Sequence, residues 1–288
     1  MFNPNKKIIE NLRKEDLKLP EYDREVEELD ENYLQFFKSR FEDWDKNYHT
    51  KRSAIEKTYN INILGQGKHS IVFTSPDLPD EYVMSYCKSI SEADSPIEKN
   101  KDPKKRLVEK TFKLKANFYL NRVMNILFPG KIAKIHYWNV DEKFLHETTV
   151  REKIDGVTAG YGFYSSWQAF EIPTKKSADG NLKISEIKNL MWKNNIPIYL
   201  DLENINNVLI RKDGSECYVD GELESFDPYE VEDHSFDNIQ KLMKDLNTPD
   251  ADQRKIMTYI DRIKALEAEY KTTMKEIDPD WGTFPSII

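Results

Sequence analysis

The sequence predicts an α+β protein, with antiparallel strands in its first half and mostly helices in its second. Three observations carry this. From Tyr59 to Ile154 apolar residues fall in short runs rich in β-branched and aromatic side chains, broken by Gly, Pro and Asp. One long helical pattern interrupts them. Beyond Asp155-Gly156 the apolar spacing turns helical, except for a hairpin near the middle of that half.

Taken in order, residues 1–58 read as an N-terminal helical extension. Leu34, Phe37, Phe41 and Trp44 recur at three- and four-residue steps and mark one apolar stripe. Such a stripe packs on the next domain or receives a partner. Ile61, Ile63, Ile71, Val72, Phe73, Tyr82, Val83, Tyr86 and Ile90 predict three short strands. After a polar loop, Asp102-Pro103 supplies a cap and a first-turn proline for a helix to about Phe128, and Pro129-Gly130 ends it. Ile132–Trp138 and Phe144–Ile154 read as two further strands. Asp155-Gly156 reads as a hinge-like break. Helices are then expected over Phe163–Phe170, Ile184–Lys193, Ser235–Leu246 and Asp250–Glu276. The expected divisions are 1–58, 59–155 and 156–288.

Composition narrows the function classes. The chain has 288 residues, 39% hydrophobic and 33% charged, which suits a soluble globular protein with ample core. A formal net charge of -8 argues against nucleic acid as a partner. No apolar run approaches the ~20 residues of a membrane span. The polar start, Met1 to Lys7, has no apolar signal core. Cys87 and Cys217 both fall in expected strands and read as buried thiols, so a cytoplasmic setting is expected, in the producing cell or in a host. The five histidines are too scattered for a metal site.

The segment Pro197–Glu222 is the most informative. Ile198-Tyr199-Leu200 leads as a strand to Asp201. Asn206-Asn207 opens Val208-Leu209-Ile210, and Lys212-Asp213-Gly214 turns the chain onto Cys217-Tyr218-Val219 and Asp220. Each polar group then stands at the mouth of a strand. A base, an amide ligand and a metal carboxylate in that order are what phosphoryl transfer from a Mg²⁺-nucleotide requires. Gly65-Gln66-Gly67, between two apolar strand segments, lets backbone N–H groups approach phosphate; an ordinary hairpin turn has the same look. Lys88, sixteen residues past Val72, suits a strand ammonium beneath that loop, or a solvated edge residue.

These motifs resemble the protein-kinase-like superfamily, which includes protein kinases and aminoglycoside and choline kinase relatives. Gly65-Gln66-Gly67-Lys68-His69-Ser70-Ile71-Val72 looks like the glycine-rich loop, with Ser70 in place of its third glycine. Tyr86-Cys87-Lys88 is similar to the end of the third strand. Val150–Gly156 resembles the hinge, where Glu152 and Ile154 would hold adenine. Tyr199-Leu200-Asp201 stands at the catalytic-loop triplet, and Asp220-Gly221-Glu222 at the metal-binding one.

The resemblance implies a bilobal fold: an antiparallel N-lobe with one long helix, and a reduced helical C-lobe. It implies ATP and Mg²⁺ as cofactors, Asp201 and Lys88 as catalytic residues, and Asn207 and Asp220 as metal ligands. Glu109, the one acid between Lys104 and Phe128, would pair with Lys88. Family spacing puts the asparagine five residues after Asp201 (Asn206) or thirteen before Asp220 (Asn207). The hairpin is the stiffer ruler and favours Asn207. No Ala-Pro-Glu segment follows Asp220, which marks an atypical or minimal member, similar to bacterial effector kinases. The expectation is a phosphotransferase acting on a hydroxyl. Its acceptor is a protein Ser/Thr or a small cationic molecule, since the chain from Asp220 onward carries about twice as many acids as bases. A pseudokinase scaffold, or transfer of AMP on the same fold, is the alternative.

Overall fold

The computed structural model describes residues 52–66, 70–76, 79–87, 102–140, 147–159, 182–196, 198, 200–202, 205–220 and 236–281. The apolar stripe from Leu34 to Trp44, the expected helix Phe163–Phe170, and Gly67, Lys88 and Ile90 lie outside them. The chain forms two compact units. The first holds the described residues up to Leu114, His136–Glu152, and those from Ala268 on. The second holds Lys115–Ile135 and Lys153–Glu267.

The expected α+β character is observed: antiparallel sheets with several helices. In the first unit, helix α1 (Arg52–Tyr59) leads into β1 (Asn62–Gln66), β2 (Ser70–Thr74) and β3 (Tyr82–Cys87). With β4 (Ile135–Val140) and β5 (Glu147–Glu152) they make a five-stranded sheet in the order β1-β2-β3-β5-β4. Alternation sorts its faces: Ile61, Ile63, Ile71, Phe73, Met84, Tyr86 and Val150 join Ile55 and Tyr59 of α1 in one core. The turn from α1 to β1 is tied locally. Asn60 takes a positive φ of 52°, and the Glu56 carboxylate accepts the Ile63 N–H at 3.0 Å.

Helix α2 runs Pro103–Leu127, close to its expected limits. Asp102 caps it, its Oδ1 accepting the Lys104 N–H at 2.7 Å. Gly130, with φ of +71°, turns the chain out beyond its end. From Lys115 to Met124 every residue is buried, polar ones included. Asn121 shows why a polar residue is stable there. Its amide donates to Ala133 O at 2.8 Å and accepts the Ile135 N–H at 2.9 Å, so it braces the strand-like segment that follows.

In the second unit, β6 (Gly156–Thr158), β7 (Val208–Arg211) and β8 (Glu216–Tyr218) form an antiparallel sheet in that order. At the break expected around Asp155-Gly156, residues 153–155 belong to no helix or strand, and Gly156 begins a strand paired with Arg211. The strand expected before Asp201 is corrected, since residues 198 and 200–202 belong to no strand. Helix α3 (Ile184–Lys193) buries Ile184, Ile187 and Met191. Its first turn is held by the Glu216 carboxylate, which accepts the Ile184 N–H at 2.9 Å where a helix favours an anion. A short 3₁₀ turn, Phe236–Asn238, precedes α4 (Ile239–Asp245), and α5 spans Asp250–Ile277. Cys217 is fully buried, as its strand position suggests. No helix among the described residues is long and apolar enough to cross a membrane.

Candidate active site

The β7–β8 hairpin sets the geometry of the site. Val208 pairs with Tyr218, Leu209 with Cys217 and Ile210 with Glu216. The turn is closed by Gly214 at φ +82°, by the Arg211 N–H to Ser215 O at 2.8 Å, and by Asp213 Oδ1 accepting the Ser215 N–H at 2.9 Å. The Ser215 bonds hold the Asp213 carboxyl below its usual range. At the open end the Val219 N–H donates to Asn207 O at 2.8 Å. Asn207 and Asp220 therefore leave the hairpin side by side.

Asp201 reaches the same point by burial. Ile198, Leu200 and Leu202 are buried, and Asp201, between the last two, is half-buried. The 3₁₀ turn Ile205–Asn207 then returns the chain to β7.

The three polar groups meet through one amide. Asn207 Nδ2 donates to Asp220 Oδ2 at 2.8 Å, to the Asp201 carbonyl at 3.1 Å and to Asp201 Oδ2 at 3.3 Å. Two hydrogens serve three oxygens, so the two longer bonds, both to Asp201, share one. Asn207 is 7% exposed, whereas Asn206 is exposed, so the amide brought to the carboxylates is that of Asn207. Both carboxylates rest on one nitrogen. The Asn207 nitrogen faces both carboxylates here; only with that amide turned over would its oxygen join them in a hard-oxygen donor set of the kind that suits Mg²⁺. Among the described residues no group of three or more His, Cys, Asp or Glu could hold a metal, so a cation here would use the amide as well.

The other expected site residues fall as follows. Gly65 lies in β1 opposite Val72, beside an irregularity in the register, and a Cβ built there meets nothing within 4 Å. Val72 is half-buried in β2, and Ser70 opens that strand opposite Cys87. Glu109 is half-buried in α2. Glu152 ends β5 opposite Tyr82, and Ile154 is half-buried in the connection to β6. Gly67 and Lys88 lie outside the described residues.

Sequence reasoning missed two contributors. Tyr218 is fully buried, and its hydroxyl oxygen accepts the Asp201 N–H at 3.0 Å. Lys131 is 8% exposed at the foot of β8, and burial lowers its pKa against the opposing pull of Glu216. Its carbonyl accepts the Tyr218 N–H at 2.8 Å. A strand tyrosine and a post-helix lysine carry no spacing signal that would single them out.

No family model matches the sequence, and no curated protein does. Among solved structures, the GDP and kanamycin complex of APH(2")-IIia aligns over 88% of this chain and 95% of its own, at 12% identity and a TM-score of 0.34. Similarity at that score carries no weight for fold or function.

Proposed function

We propose that this chain is an ATP- and Mg²⁺-dependent phosphotransferase acting on a hydroxyl, with a protein Ser/Thr side chain as acceptor. One observation carries the reading: a single buried amide gathers two carboxylates from opposite ends of a loop and hairpin.

In this reading Asp220 and, with its amide turned over, the Asn207 oxygen would hold the ion, and Asp201 would orient the acceptor hydroxyl and take its proton. When bound, Mg²⁺ supplies charge neutralisation at the transferring phosphoryl group. By the family resemblance, Gly65, Gly67, Ser70, Val72 and Lys88 would position the phosphates, Glu109 would pair with Lys88, and the backbone at Glu152 and Ile154 would hold adenine. Positioning and electrostatics supply most of the barrier reduction in this chemistry.

Asp220→Ala tests it. Turnover of ATP is expected to fall by about two orders of magnitude or more, with far-ultraviolet dichroism unchanged. Wild-type turnover by the variant rules the assignment out. A wild-type chain that neither hydrolyses nor transfers, and whose melting temperature ignores Mg²⁺-ATP, replaces it with the scaffold reading.

A further inference from the structure

We propose that the Tyr218 hydroxyl is the positioning group for Asp201, so that one hairpin fixes both ends of the candidate site. The inference rests on the reading of Asp201 given above. Residues 198 and 200–202 lie in no strand, and the Asp201 N–H donates to a side chain. It takes the phenol oxygen of Tyr218 at 3.0 Å.

That oxygen is a fixed point. The Tyr218 ring is 0% exposed. Its backbone is tied on both edges of β8: it pairs with Val208, its N–H donates to Lys131 O, and its carbonyl accepts the Ala133 N–H, each of the last two at 2.8 Å. The carbonyl side of Asp201 is held as well, by the Asn207 amide at 3.1 Å. Both flanks of Asp201 are thus gripped by side chains from one hairpin, Asn207 where it begins and Tyr218 in its second strand. Asp220 follows Tyr218 by two residues. The distance between the two carboxylates is set by that hairpin and not by the loop that joins them in sequence. Burial of Ile198, Leu200 and Leu202 fixes how deep the Asp201 segment lies, and the two hydrogen bonds fix its rotation.

Tyr218→Phe keeps the ring and its packing and removes only the hydroxyl. Two measurements are made on the full chain and this variant: steady-state kinetics with Mg²⁺-ATP, and residue-resolved amide hydrogen exchange. A fall in kcat of about tenfold or more is expected, with KM for ATP held within about twofold, because orientation is lost while nucleotide contacts remain. Exchange at the Asp201 amide is expected to accelerate while the Ala133 and Tyr218 amides keep their protection. An unchanged kcat, or an Asp201 exchange rate the same in both proteins, overturns the proposal. A wild-type chain without turnover defeats the phosphotransferase reading alone, and exchange at Asp201 then decides the positioning claim. Should the variant fail to fold, the wild type decides. Protection at Asp201 comparable to that at Ala133 supports the inference, and free-peptide exchange at Asp201 overturns it.

Discussion

At Asn207 one neutral amide lies between two carboxylates. Asn207→Asp removes the N–H donors and adds a third anion at a site 7% exposed. In chelator, the variant is expected to lose about 1–3 kcal/mol of stability at neutral pH, and millimolar Mg²⁺ is expected to restore most of it. Thermal melts with and without Mg²⁺ check this, and a variant insensitive to Mg²⁺ counts against an ion site. That Asn207 neighbours Asp220 was legible because backbone register across β7 and β8 fixes the thirteen-residue step between them. Counting from Asp201 gives Asn206 instead, because the intervening 3₁₀ turn does not keep loop length constant. Tyr218 was not legible. In a strand its ring reads as core, and nothing local indicates that its hydroxyl meets a residue seventeen positions back.

Among the elements, β6 shows what periodicity misses. Gly156, Val157 and Thr158 are all exposed, so no apolar alternation marks them. Pairing with β7 makes them a strand, and the close approach explains the glycine: a Cβ at Gly156 would lie 2.7 Å from Ile210 O, a backbone atom. Gly156→Ala is expected to cost about 1–3 kcal/mol in urea unfolding, from overpacking against main chain. Gly65→Ala, where a Cβ meets open space, is expected to leave stability unchanged or slightly higher. Equal effects from the two would refute the steric account. The segment before Asp201 errs the other way. Ile198, Leu200 and Leu202 alternate as a strand would, yet the alternation records which side is buried and says nothing of a hydrogen-bonded neighbour. Helix α2 was legible at both ends because its signals are local: an Asp-Pro start and a Pro-Gly stop bracket a run of strong helix formers.

At the scale of the whole molecule, each compact unit draws on distant parts of the chain. Within the first unit, Lys105 near the start of α2 donates to Asp278 just past α5, a contact across 173 residues of sequence. Phe112 and Trp281 both pack against Tyr270 beside it. Such closures were not readable, because each partner alone is an ordinary surface charge or aromatic. The Lys105 hydrogen bond lowers the Asp278 pKa below the ordinary aspartate range. The folded state then binds the proton more weakly than the unfolded one. The resulting stability is present above the ordinary aspartate pKa and is lost as pH falls through the lowered folded value. Asp278→Asn is therefore expected to melt below wild type near neutral pH and to converge with it in acid; identical melting at neutral pH contradicts the contact. The central claim is that Asp201, Asn207 and Asp220 form one ion-binding, phosphoryl-transferring site. A crystal structure with Mg²⁺ and a non-hydrolysable ATP analogue tests it most directly. The expected result is Mg²⁺ at about 2.1 Å from an Asp220 oxygen and from Asn207 Oδ1, with the terminal phosphate facing Asp201. Nucleotide bound elsewhere, or an Asn207 amide still bridging both carboxylates with no ion beside it, would contradict the account.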